Sequence, residues 1–166
     1  MPAEFVLAAD TLEDTREFVL ANGTTVDRWV RAVDLLPGTP AMVRRAVVSI
    51  NETASTATSS NGVESADTAD KVLAVWLPGT EPVPTAEGTA FHLPAGAELT
   101  LRIHYKKTWK YEGTSMTDRS TVGIYFAAPA SHRPLRSFAI TSAAAGAGRR
   151  RTVAFNHVLA ADVDVL

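Results

Sequence analysis

Four histidines, at positions 92, 104, 132 and 157, are the imidazole donors of this 166-residue chain, and no cysteine accompanies them. Thiolate metal sites, disulfides and cysteine nucleophiles are therefore excluded, while the compartment stays open. His92, His132 and His157 have no spacing to one another that suggests a metal cluster, and they read as ordinary residues. His104 is placed differently. It lies near the end of Glu98-Leu99-Thr100-Leu101-Arg102-Ile103-His104-Tyr105, where Leu99, Leu101, Ile103 and Tyr105 share one face and Glu98, Thr100, Arg102 and His104 the other. A histidine there either faces solvent or reaches into a site as a metal ligand, and the alternation does not decide between them.

A second chemical feature is Arg44-Arg45, two charges planted in the apolar stretch AMVRRAVVSI, Ala41 to Ile50. The plainer reading puts them at a strand edge, paired with carboxylates such as Asp34 or Asp118. The sharper one has them holding an anion, since guanidinium binds carboxylate and phosphate bidentately. Neighbours on a strand point to opposite faces, so both converge on one ligand only where the strand is bulged or twisted. Lys106 to Tyr111 (KKTWKY) interleaves bases with aromatics, a pattern that can grip sugars or single-stranded nucleic acid. In a chain of net charge −2, a solvated loop is the preferred reading, and Arg149-Arg150-Arg151 reads as a surface turn. No Ser-His-Asp order, H-E-x-x-H, Walker loop or G-x-G-x-x-G is present.

The elements that must position these residues are short strands. Period-2 alternation with β-branched and aromatic residues predicts strands at Glu4 to Leu7, Arg16 to Leu20, Asp27 to Leu36, Ala41 to Ile50, Lys71 to Leu77 and Glu98 to Tyr105. Ser120 to Ala127 follows, predicted to form a hairpin with the strand of His104 across a polar turn, Lys106 to Arg119. Further strands are expected at Ser137 to Thr141, Arg151 to Val158 and Val163 to Leu166. Residues 51–70 hold hardly any large apolar side chain and read as a long polar surface loop. Asn22-Gly23, Pro37-Gly38 and Pro78-Gly79 punctuate the strands. Many short strands and no convincing amphipathic helix predict an all-β fold, an antiparallel jelly-roll-like β-sandwich spanning residues 1–166 as one domain. The pattern runs on to Leu166 without terminal punctuation, which predicts a boundary inside a longer protein.

Composition narrows the partners. The hydrophobic fraction of 46% is that of a globular chain, and the charge of −2 gives no electrostatic reason to expect nucleic acid or an anionic membrane. No apolar run reaches the roughly 18 residues a membrane span needs, and no signal peptide is visible.

Several blocks carry a resemblance. LTLRIHY, then a polar loop ending in an aspartate, then S-x-V-G-I-Y-F is similar to the copper type II, ascorbate-dependent monooxygenase family, which includes the peptidylglycine α-hydroxylating and dopamine β-monooxygenases. The matching positions are His104, Tyr105, Asp118, Ser120, Val122 and Gly123. DRWVRAVDLLPGTPAMVRRAVVSI resembles the family's W-V-R-A-x-E-x-x-P-G-x-x-x-V-H-H-A. VWLPGTEPVPTAEGTAFHLPAGAEL resembles its W-x-P-G … P-x-G-x-A … L-P-A-G. Order and spacing agree from about Phe5 to Ala127. The resemblance implies the family's N-terminal jelly-roll domain and an extracytoplasmic location.

It also implies a copper site that this chain does not complete. In the family, V-H-H supplies two of the three ligands of the first copper; here those positions are Arg44 and Arg45. Arginine stays protonated and has no lone pair to give a metal. His104 is the one ligand position that survives. The second copper, where oxygen is activated, takes H-x-H and a methionine from a C-terminal domain that would follow Leu166, and Met116 does not match that methionine.

The expectation is therefore a non-catalytic, degenerate domain that binds no copper itself. It would act as scaffold or ligand-binding half of a larger protein, packing on a following C-terminal domain or another subunit. Two alternatives stand beside it. One is part of an active copper-dependent monooxygenase whose oxygen-activating site lies in that further domain. The other is an unrelated β-sandwich carbohydrate-binding or adhesion module, favoured if Trp109 and Tyr111 line a groove.

Overall fold

Alternation along the strand of His104 becomes a buried face. Leu99, Leu101, Ile103 and Tyr105 are each at most 1% exposed, and each such burial is worth about 1.5–3 kcal/mol. The computed structural model describes residues 1–51, 71–129 and 132–137. The strands are β1 (Phe5–Leu7), β2 (Glu13–Ala21), β3 (Arg28–Leu36), β4 (Val43–Asn51), β5 (Lys71–Trp76), β6 (Thr89–Leu93), β7 (Glu98–Lys106), β8 (Met116–Asp118), β9 (Thr121–Phe126) and β10 (Arg133–Pro134). A single 3-10 turn, Trp109–Tyr111, lies between β7 and β8, and there is no α-helix among the described residues. No helix among them is long and apolar enough to cross a membrane. The expected loop over 52–70, the strands after residue 137, His157 and Arg149 to Arg151 lie outside the described residues.

The fold is all-β and sandwich-like. One four-stranded sheet runs β2-β7-β4-β5, another β10-β6-β3-β9, and β1 pairs with β8 in a small two-stranded sheet. A single core lies between the two larger sheets. β3 and β6 supply Val30, Val33, Leu35 and Leu93, while β4 and β7 supply Ala46, Val48, Ile50, Leu99, Leu101 and Ile103. Pairing is antiparallel, as expected, apart from the two-residue β10, which joins β6 in parallel.

The expected hairpin is also corrected. β7 pairs with β2 and β4, whereas β9 pairs with β3 in the opposite sheet. The chain between them crosses from one sheet to the other through the 3-10 turn and β8. That crossing is pinned by a close approach at Pro37-Gly38. A Cβ on Gly38 would lie 2.8 Å from the Arg119 backbone nitrogen, closer than real Cβ atoms come, so only glycine fits.

Candidate functional site

A bulge places the two arginines. Reading β4 back from Val48, strict alternation would send Arg44 into the core. Instead the register against β7 shifts between Val43 and Arg45, and Val43 becomes the buried residue, at 0% exposed. A bulge inserts one extra residue into a strand and re-aims its side chains. Arg44, the inserted residue, turns its guanidinium onto backbone: Nε donates to the Lys106 carbonyl at 3.1 Å and Nη2 to the Ala41 carbonyl at 3.0 Å. Arg45 stays on the outer face, directly opposite His104 of β7.

The anticipated pairing of these arginines with Asp34 or Asp118 does not form. Asp118 is 1% exposed and already serves four donors. The Tyr105 hydroxyl donates to its Oδ2 at 3.0 Å, the Ser120 hydroxyl at 2.7 Å and the Ser120 N–H at 3.2 Å, and the Thr39 N–H donates to Oδ1 at 2.8 Å. Burial first, then the charge and hydrogen bond of Asp118, push the Tyr105 phenol well above its ordinary range. Thus Tyr105, Asp118 and Ser120, noted in the sequence as neighbours of His104, form a buried polar lock that ties β7 to β8. His104, on the opposite face of β7, takes no part in it.

His104 instead belongs to a depression of about 290 Å³ lined by Thr15, Arg45, Arg102 and His104. Thr15 faces His104 from β2 across the register, with Oγ1 3.1 Å from Nδ1. Arg102, two residues back on the same face, bonds Glu17 through Nε at 2.6 Å and Nη2 at 2.5 Å. Arg45 makes no hydrogen bond or ion pair with a described residue. Next to this row Lys106 pairs with Glu13 at 2.8 Å and holds that carboxyl below its usual range, chiefly through the hydrogen bond. Sequence reasoning missed Thr15, which lies between the predicted strands Glu4 to Leu7 and Arg16 to Leu20. Arg102 was marked only by sharing the face of His104.

The other histidines stand elsewhere. His92 and His132 flank Trp29 with ring centroids 5.2 and 5.7 Å away. The His92 Nε2 meets Asp27 Oδ2 at 3.1 Å, and the Ala95 N–H donates to Asp27 Oδ1 at 2.9 Å. The Ala95 bond first, and His92 second, lower the Asp27 carboxyl. His132 Nε2 donates to the Ala128 carbonyl at 2.9 Å. Among the described residues no three His, Asp or Glu side chains are grouped as a metal would need. Trp109 is 84% exposed, whereas Tyr111 is partly buried against the core. Met116 is a core residue at 9% exposed.

These features define an all-β, sandwich-like domain whose chemistry-bearing residues form a basic depression on an outer sheet face and a buried carboxylate lock beneath it. No protein-family model, curated protein or solved structure matches the chain.

Proposed function

We propose that this chain is a jelly-roll-like domain of the copper monooxygenase type that has given up its copper site. It serves as a non-catalytic scaffold or ligand-binding half of a larger protein, packed on a following domain or another subunit. One observation carries the reading. Two of the three positions at which the resemblance expects copper ligands, 45 and 104, lie directly opposite each other on β4 and β7. The resemblance was drawn from separate blocks of sequence, so their meeting in space supports it.

The side chains present do not fit copper. Arg45 brings a fixed positive charge and no lone pair to that meeting, and the bulge turns Arg44 away to cap backbone carbonyls. His104 has Nδ1 engaged by Thr15, which leaves one nitrogen donor. A single imidazole beside a guanidinium repels a cation, so no step of oxygen chemistry is assigned to this chain.

Copper titration tests the reading. Calorimetry with Cu(I) and Cu(II) should give no one-to-one binding, and His104→Ala should change nothing. Tight stoichiometric binding lost in His104→Ala would overturn the degenerate site. The double substitution Arg44→His with Arg45→His, which restores the family's V-H-H, should gain a copper site that also depends on His104. Failure of that folded variant to bind copper would count against the resemblance itself.

A further inference from the structure

We infer that the depression formed by Thr15, Arg45, Arg102 and His104 is an oxyanion site that takes a phosphate group. Every residue lining it carries an N–H or O–H group, and no carboxylate lines it. This is unexpected in a chain whose net charge is −2. The inference goes beyond the scaffold reading, because it rests on four side-chain positions and not on the family resemblance.

The geometry favours a tetrahedral anion. Thr15 stands on β2, Arg102 and His104 on β7, and Arg45 on β4, so donors converge from three adjacent strands. Strands lie about 4.8 Å apart, and the site therefore spans about 10 Å. A planar carboxylate is satisfied by one guanidinium fork, whereas a phosphate offers oxygens in several directions. Arg45 supplies that fork uncommitted, having no partner among the described residues. Glu17 engages Nε and Nη2 of Arg102, leaving Nη1 for a ligand. The Thr15 contact at Nδ1 orients the His104 ring: where the Thr15 hydroxyl donates to Nδ1, Nε2–H remains to donate to the ligand, and where Nδ1–H donates, the Thr15 hydroxyl remains. The bulge leaves the site a single outward arginine from β4. Regular alternation sets Arg45 on the outer face opposite His104, and the bulge just beyond it keeps Arg44 out of the core.

Inorganic phosphate, glycerol 3-phosphate and acetate, titrated at low ionic strength with calorimetric or NMR detection, test the proposal. Phosphate should bind saturably with Kd of about 1 mM or below, and acetate at least about tenfold more weakly. Arg45→Gln should weaken phosphate by about tenfold or more, the effect of deleting one charge-assisted hydrogen bond. Lys110→Gln removes the same charge from the exposed loop and should leave affinity unchanged. Tighter binding of glycerol 3-phosphate would identify an organic phosphate, and equal binding free phosphate; either supports the site. Absence of saturation, equal affinity for acetate, or equal losses in Arg45→Gln and Lys110→Gln would overturn it. The last result would mean that only net charge is felt. Arg45 is exposed, so its variant should fold, and circular dichroism confirms that each variant retains its sheets.

Discussion

Replacing Asp118 by alanine should be among the most damaging single changes in the molecule. Its carboxylate is 1% exposed and accepts from the Tyr105 hydroxyl, the Ser120 hydroxyl, and the backbone N–H groups of Ser120 and Thr39. The two hydroxyls can rotate toward other acceptors and the Ser120 N–H keeps Met1 Sδ at 3.2 Å, but the Thr39 N–H loses its acceptor. Stranding that donor costs about 1–3 kcal/mol, and the lost hydrogen bonds of Tyr105 and Ser120 and the cavity add to it. An overall loss of about 3–5 kcal/mol is expected, a large share of the roughly 5–15 that holds a domain together. Asp118→Asn should cost about half as much. The amide keeps one oxygen but turns an N–H toward a group that also donates. Urea unfolding at neutral pH, followed by circular dichroism with linear extrapolation, measures both. A loss below about 1 kcal/mol for Asp118→Ala, at an unchanged denaturant slope, would refute the idea that this lock bears on stability.

The same lock predicts an alkaline limit. Tyr105 is held protonated in the folded chain, while its unfolded counterpart ionises near its ordinary value of about 10. Its contribution is therefore fully present below that pH and lost as pH rises above it. The loss can reach about 1.4 kcal/mol per pH unit, and Tyr105→Phe should remove that part of the slope in urea unfolding between about pH 9 and 11. Gly38→Ala should destabilise by about 1–3 kcal/mol, because the new Cβ meets Arg119 backbone at 2.8 Å. A thermal melt indistinguishable from wild type would show that the turn gives way freely.

Local pattern carried much of this architecture and little of its pairing. The faces of β7 were legible because Leu99, Leu101, Ile103 and Tyr105 alternate without interruption and are all buried. Their partners were not, since alternation fixes which side chains go inward but not which strand lies alongside. Adjacent strands usually pair, and that habit suggested a hairpin where the chain in fact changes sheets. β8 escaped notice because three residues, Met116–Asp118, are too few to show a period. Arg44-Arg45 broke the pattern visibly, and the break was a real signal of the bulge. Their partners were misjudged because Asp118 looks like a free carboxylate until its four donors are seen. The meeting of His104 with Arg45 and Thr15 depends on contacts across three strands, and the Thr15 to His104 contact joins residues 89 positions apart. No local rule reaches that far.

That separation also has a consequence for the ribosome. Among the described residues β2 has one sheet neighbour, β7, and that partner is complete only when the 89 residues separating Thr15 from His104 have been made. At about 5–20 residues per second that wait is roughly 4 to 18 s. Throughout it Phe18 and Leu20, which later pack against the core, have nothing of this sheet to cover them. The nascent chain thus carries an open strand until β7 has been made. Slowed translation within residues 71–104 should lengthen that exposure and raise its demand for a chaperone that shields extended apolar segments.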